Sequence, residues 1–260
     1  MVSTSLNRDS QKKTRAQIAT ISILDVPVHG VTTEKALKQV ELFMSKSRVH
    51  QIATVNPEFI MKAQEDESFH KVLQSSDLCL PDGIGLLFAS RWLGQPLPER
   101  VAGSDFVYKL ADLSAEKGWR LFLLGAKEGV AREAASVLKD KYNGLVIAGT
   151  CSGSSTTSEN EAIVEQINTS QADILYVAFG APRQDKWINR NRESLETVRV
   201  AMGIGGSLDF ITGRTVRAPL WIQRLGLEWL HRLIQEPWRW RRMMVLPRFA
   251  AKVAFYRKQS

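Results

Sequence analysis

The chain has 260 residues, of which 44% are apolar and 24% charged, and a formal net charge of +8. This is ordinary globular composition, enough for one large α/β domain or a core of about 200 residues with an appendage. Two cysteines, Cys79 and Cys151, are too few for a disulfide framework or a cysteine-rich metal site and fit a reducing cytoplasm. No apolar run reaches the roughly 18 residues of a membrane span.

Residues 1–17 are polar and basic without an apolar centre, which predicts a flexible tail and no signal peptide. From there, short β-branched or apolar runs alternate with longer amphipathic segments. Ile18–Leu24, Gln51–Val55, Asp77–Leu80, Trp119–Leu124, Leu145–Thr150, Ile174–Phe179 and Val198–Met202 read as strands. Thr33–Ser45, Pro57–Gln64, Glu67–Gln74, Gly83–Trp92, Ser104–Lys117, Glu128–Lys141, Glu159–Asn168 and Pro182–Glu193 read as helices, several opening on Ser, Thr or an early proline. The alternation predicts an α/β fold, a doubly wound and mainly parallel, Rossmann-like sheet with helices on both faces, over residues 18–213. Gly149–Ser158 reads as a loop inside this core.

A compositional break falls near Gly213. Residues 214–260 hold eleven Lys and Arg against Glu228 and Glu236, about +9, which leaves about −1 for everything before. Four of the seven tryptophans, Trp221, Trp229, Trp238 and Trp240, lie here among the arginines. Ile222, Leu225, Trp229 and Leu233 fall on one helical stripe. The segment reads as a basic amphipathic appendage suited to a membrane–water interface. Packing of the stripe on the core as a plain terminal helix is the competing reading.

Two strand ends carry side chains suited to chemistry. Gln51–Val55 ends in Asn56-Pro57, and Asp77–Leu80 ends in Pro81-Asp82-Gly83-Ile84-Gly85, so the Thr54 hydroxyl, the Asn56 amide and the Asp82 carboxylate could converge on one sheet edge. Asp82 is the candidate general base, against the alternative of a helix cap. An Asn-Pro turn is the bland reading of Asn56. Gln184, after Ile174–Phe179, joins the same edge or is a solvated first-turn residue. Arg100 is the candidate core cation for a diphosphate, or one half of a structural ion pair. No Asp-x-Asp pair occurs, and His29, His50, His70 and His231 lack ligand spacing, so neither metal nor cofactor is expected. Gly203-Ile204-Gly205-Gly206 lacks the full dinucleotide-binding spacing, and Gly125-Ala126-Lys127-Glu128-Gly129 is no P-loop.

Taken in order, Thr54-Val55-Asn56-Pro57-Glu58, Pro81-Asp82-Gly83-Ile84-Gly85, Glu99-Arg100-Val101-Ala102-Gly103-Ser104-Asp105, Gly180-Ala181-Pro182-Arg183-Gln184-Asp185-Lys186-Trp187 and Gly203–Phe210, with Arg217-Ala218-Pro219 and Gly226-Leu227-Glu228-Trp229, resemble the WecG/TagA/CpsF family of glycosyltransferases from about Ile18 to Arg242. The resemblance implies an inverting transferase of cell-surface polysaccharide synthesis. Its donor would be a UDP-sugar, by default of N-acetylmannosamine, and its acceptor a sugar on undecaprenyl diphosphate. It further implies Asp82 as base, with Thr54, Asn56, Gly83 and Gln184 lining the site. Arg214, Arg217, Arg224 and Arg232 would meet the acceptor diphosphate. A peripheral place on the inner face of the cell membrane, contact with its anionic surface and a possible homo-oligomer complete the expectation, with no nucleic-acid partner. The competing functions are an RNA-binding module using the Trp/Arg tail, and another nucleotide-sugar enzyme such as an epimerase or dehydrogenase. The core has no RNA-binding aromatic motif for the first and no complete dinucleotide fingerprint for the second.

Overall fold

The computed structural model describes residues 18–219, 221–222, 227–235, 237 and 240–256, without the side chains of residues 232, 241 and 242. Its centre is a six-stranded, wholly parallel sheet of β3 (His50–Val55), β4 (Leu78–Pro81), β5 (Arg120–Gly125), β6 (Val146–Cys151), β7 (Ile174–Ala178) and β8 (Val200–Gly203), in the order β4-β3-β8-β7-β5-β6. The inner strands are apolar almost throughout because both faces are covered.

Alternation along each strand divides the core. Ile52, Leu78, Leu80, Leu121 and Leu123 face α1 (Thr33–Met44), α5 (Gly103–Lys117), α6 (Val130–Lys141) and the short α9 (Ser207–Ile211). Ala53, Val55 and Cys79 face the other side, with α2 (Pro57–Ala63), α3 (Glu67–Ser75) and α4 (Ile84–Trp92). Further along that side, Phe122, Leu124, Leu175 and Val177 pack on α7 (Asn160–Thr169) and α8 (Arg183–Asn191). The doubly wound class read from the sequence is the class observed, with helix ends shifted by one or two residues.

The first expected strand is an exception. Ile18–Leu24 does not enter the main sheet: β1 (Thr20–Ile23) pairs antiparallel with β2 (Val26–His29) in a separate hairpin. Its turn is Leu24-Asp25, both at positive φ (49° and 63°), a conformation usually signalled by Asn-Gly or Asp-Gly and here carried by residues that give no such signal. The hairpin lies beside the sheet edge, where His29 Nδ1 accepts the Cys79 backbone N–H at 2.9 Å and so occupies a donor that an edge strand would leave open.

Beyond Gly213 the chain returns to the core. Helix α10 (Glu228–Gln235), the single turn α11 (Trp240–Met243) and α12 (Val245–Tyr256) follow, and α12 buries Phe249 and Val253 among the hairpin, α2 and α4. The Tyr256 hydroxyl donates to Asp25 at 3.1 Å. Of the expected stripe, Ile222 and Leu233 are half-buried and Trp229 is exposed, while Leu225 lies outside the described residues. Among the described residues no helix is long and apolar enough to cross a membrane. Because Phe249 is only 4% exposed, Phe249→Ala is expected to cost about 3 kcal/mol of stability, read from urea unfolding of the full chain.

Candidate functional site

A cavity of about 1260 Å³ opens outside the carboxyl ends of β4, β3, β8 and β7, the edge where α/β sheets bind ligands. Thr54, Asn56, Asp82, Gly83, Arg100 and Gln184 all line it, so the six core residues picked out in the sequence are brought together.

Asp82 is held by its backbone. Its N–H donates to the Val55 carbonyl at 2.8 Å, continuing the β3–β4 ladder by one residue, and the preceding Pro81 carbonyl accepts from Val101 N–H at 2.9 Å. That second bond draws the segment carrying Arg100 and Gly103 alongside. Gly103 is required there: a Cβ at this position would lie 2.7 Å from Thr54 Cγ2 and 3.3 Å from Asp82 Oδ2. The next turn is equally tight. Gly83 sits at φ +113°, and a Cβ on Gly85 would come within 2.9 Å of Pro57. Helix α4 begins at Gly83 with no side-chain cap, so the Asp82 carboxylate is not the cap of that helix.

Burial pushes the Asp82 carboxyl up to about 6. A hydrogen bond from Gly103 N–H and the Arg100 charge pull it down, and the charges of Glu228 and Asp105 push it further up. The result is a carboxylate poised near neutrality at the wall of a cavity, as general acid–base chemistry requires.

The neighbours have divided tasks. Asn56 Oδ1 caps α2, accepting from Phe59 N–H at 2.9 Å, so the turn reading of this residue holds for its oxygen while its amide N–H₂ remains available at the cavity. Thr54 is nearly buried and lines the same wall. Gln184 is 2% exposed and not a solvated residue: its Oε1 accepts from Gly205 N–H at 2.9 Å. It lies so close to Gly203 that a Cβ there would meet Gln184 Nε2 at 2.5 Å. The glycine run after β8 thus serves close packing of α8 and holds Gly205, at φ +53°, on the cavity rim.

Arg100 reaches Glu228 of α10, Nη2 to Oε2 at 2.8 Å, so its ion-pair reading is realised at the cavity itself. Arg217 also lines the cavity and bonds Asp105 at 2.6 Å and Glu228 at 3.4 Å. Arg214 is elsewhere, paired with Glu133 of α6 at 2.7 Å, and is not part of the cavity wall. Arg224 and the side chain of Arg232 lie outside the described residues. Among the described residues no three His, Cys, Asp or Glu converge on a point that could hold a metal ion. Of the histidines only His231 lines the cavity; His50 stacks on Phe43, and His70 bonds the Asp25 carbonyl.

Sequence reasoning assigned no role to two acids that lie within its motif blocks. Glu228 was counted among the acids of the basic tail and within the Gly226–Trp229 block, but its pairing with Arg100, 128 positions away, has no local signature. Asp185 is fully buried in the first turn of α8, behind the cavity wall, with no well-formed hydrogen bond to either carboxylate oxygen; burial raises it to about 7 against the weaker pull of its own backbone N–H and the Gln184 amide. Its position directly after Gln184 in an amphipathic helix was the available signal.

Two substitutions test this geometry. Gly103→Ala should cost about 2 kcal/mol by overpacking Thr54 and Asp82, read from thermal and urea unfolding. Asp185 has its carboxyl raised in the fold from an ordinary 3.8 to about 7, so the protonated fold is favoured; that stability is full below about pH 4 and is lost as pH rises to about 7. Asp185→Asn, neutral throughout, is therefore expected to gain Tm over the parent chain progressively across that window and to hold a constant advantage above it.

Residues 21–260 match the model of the Glycosyl transferase WecG/TagA/CpsF family. The N-acetylglucosaminyldiphosphoundecaprenol N-acetyl-beta-D-mannosaminyltransferase of Bacillus subtilis (strain 168) is 40% identical over 202 residues, 78% of each chain. Enzymes of the same name from Bacillus spizizenii and Staphylococcus aureus (strain MW2) are 36% and 28% identical. The first match covers 80% of each chain, the second 92% of this chain and 94% of the relative. With its motifs folded into one cavity and the family model matched over nearly its whole length, the chain belongs to the WecG/TagA/CpsF family of glycosyltransferases.

Proposed function

We propose that this protein is an inverting, metal-independent transferase that moves N-acetylmannosamine from a UDP donor to the N-acetylglucosamine of a diphosphoundecaprenol-linked acceptor, in synthesis of a cell-surface polysaccharide. The names of its relatives support N-acetylmannosamine as the sugar transferred and diphosphoundecaprenol-linked N-acetylglucosamine as the acceptor. The observation that carries the mechanism is Asp82, half-desolvated on the cavity wall with its carboxyl raised to about 6.

In the proposed step the ionised Asp82 takes the proton of the acceptor hydroxyl as that oxygen bonds to the anomeric carbon. The bond from the anomeric carbon to the UDP oxygen breaks on the opposite side, and the electron pair leaves with UDP. A single displacement of this kind inverts the configuration. In this reading the Thr54 hydroxyl and the Asn56 amide orient the sugar, and Arg100 and Arg217 stabilise diphosphate charge in place of a metal; that all four line one cavity supports it.

A lipid-linked acceptor requires the protein to work at a membrane, and we assign it to the inner face as a peripheral protein. At about 1 kcal/mol for each Lys or Arg close to anionic lipid, half of the eleven tail cations would supply about 5 kcal/mol. Phe88 and Trp92 of α4, both exposed and apolar, are among the residues that line the cavity.

Incubation with UDP-N-acetylmannosamine and a short-chain polyprenyl-diphosphate-N-acetylglucosamine tests the reading. Asp82→Asn is expected to lower kcat by about 10³-fold. Because the base must be ionised, the rate of the unaltered chain should fall as pH drops below about 6 and level off above it. EDTA should leave the rate unchanged; loss on chelation with recovery on Mg²⁺ would defeat the arginine account of the leaving group, and no transfer with any UDP-sugar would defeat the function.

A further inference from the structure

An alternating chain of charges crosses the cavity wall. Asp105, in the first turn of α5, binds Arg217 at 2.6 Å; Arg217 Nη2 reaches Glu228 Oε1 at 3.4 Å; and Glu228 Oε2 accepts from Arg100 Nη2 at 2.8 Å. Arg100, Arg217 and Glu228 all line the cavity that holds Asp82, and their side chains are 17%, 22% and 29% exposed. Two guanidiniums from separate segments thus converge on the two oxygens of one carboxylate. Planar guanidiniums bind carboxylate and phosphate oxygens with the same paired geometry.

The carboxylate between them differs from its partners in how it is held. Arg100 stands next to Val101, whose N–H is bonded to the sheet, and Arg217 is tied to the core through Asp105. Glu228 sits instead at the start of α10, in the basic appendage, and reaches the core through these two arginines. An arriving diphosphate carries more charge than a single carboxylate and can displace it without dismantling the sheet edge.

We propose that Glu228 holds, in the unliganded protein, the place of a substrate diphosphate, and that the diphosphate binds between Arg100 and Arg217 by displacing it. Assigning that diphosphate to a sugar nucleotide or to a lipid-linked acceptor rests on the proposed function; the subsite itself does not. Until displacement Glu228 keeps two like charges together in a half-buried wall. Its departure would also remove a negative charge that faces Asp82, leaving Arg100 and Asp105 as the charged groups acting on that carboxyl.

The sign of one binding change tests this. Inorganic pyrophosphate and UDP are titrated calorimetrically into the full chain, into Glu228→Gln, into Glu228→Asp and into Arg100→Ala, each first checked for a cooperative thermal transition. If Glu228 competes for the subsite, Glu228→Gln binds pyrophosphate about fivefold tighter than the unaltered chain, and Arg100→Ala binds it more weakly. If Glu228 is a scaffold that merely positions the arginines, Glu228→Gln binds no better or worse, and the proposal falls. Should Glu228→Gln fail to fold, Glu228→Asp decides, since its shorter carboxylate competes less: tighter binding supports displacement and equal or weaker binding overturns it. Tightening without any sugar transfer would keep the subsite and discard the transferase reading, whereas transfer without tightening would do the reverse.

Discussion

The close approach of three chain segments at the end of β4 governs the rest of the site. The Asp82 carboxyl is raised because it is desolvated, and it is desolvated because the segment bearing Gly103 lies against Thr54 and Asp82 with no room for a Cβ. The ladder bonds from Asp82 N–H to Val55 and from Val101 N–H to Pro81 hold that approach in place. Glycine is needed here for contact distance, and at Gly83, with φ +113°, for backbone conformation. A carboxylate fixed by sheet geometry costs little reorganisation when a reacting group arrives, which is the usual advantage of a site built on strand ends.

The second half of the site comes from far along the chain. The appendage contributes Arg217, Glu228 and His231 to the cavity wall, and α12 anchors it by burying Phe249 and Val253 against α2 and α4. The same α2 is capped by Asn56 and the same α4 follows Asp82, so the basic tail and the strand ends are coupled through two short helices. A segment that reads in sequence as a charged extension is therefore also a structural wall. Its helices complete the cavity.

Much of this was legible in the sequence, for identifiable reasons. Strands buried on both faces are continuous apolar runs, and strand ends followed by Asn-Pro or Pro-Asp-Gly announce themselves, so the class of sheet and the meeting of Thr54, Asn56, Asp82 and Gln184 could be anticipated. The hairpin was missed because Leu24-Asp25 adopts positive φ without the residues that signal it. The burial of Gln184 and Asp185 was hidden because it depends on Gly203 being bare, a contact between β8 and α8 that periodicity does not encode. The Arg100–Glu228 pair joins residues 128 positions apart and can be found only once the tail is folded back. Long-range ion pairs and close packing at glycine are pairwise facts, whereas sequence patterns report on elements one at a time.

Burial, opposed by Gly103 and Arg100, sets the ionisation of Asp82 near pH 6. Carboxyl ¹³C NMR of the full chain, with the Asp82 resonance assigned by its absence in Asp82→Asn, measures this directly. The account predicts a titration midpoint near 6 in the unliganded protein. A midpoint at or below the ordinary carboxylate value of about 4 would contradict it, because burial would then not outweigh the pull of Gly103 and Arg100.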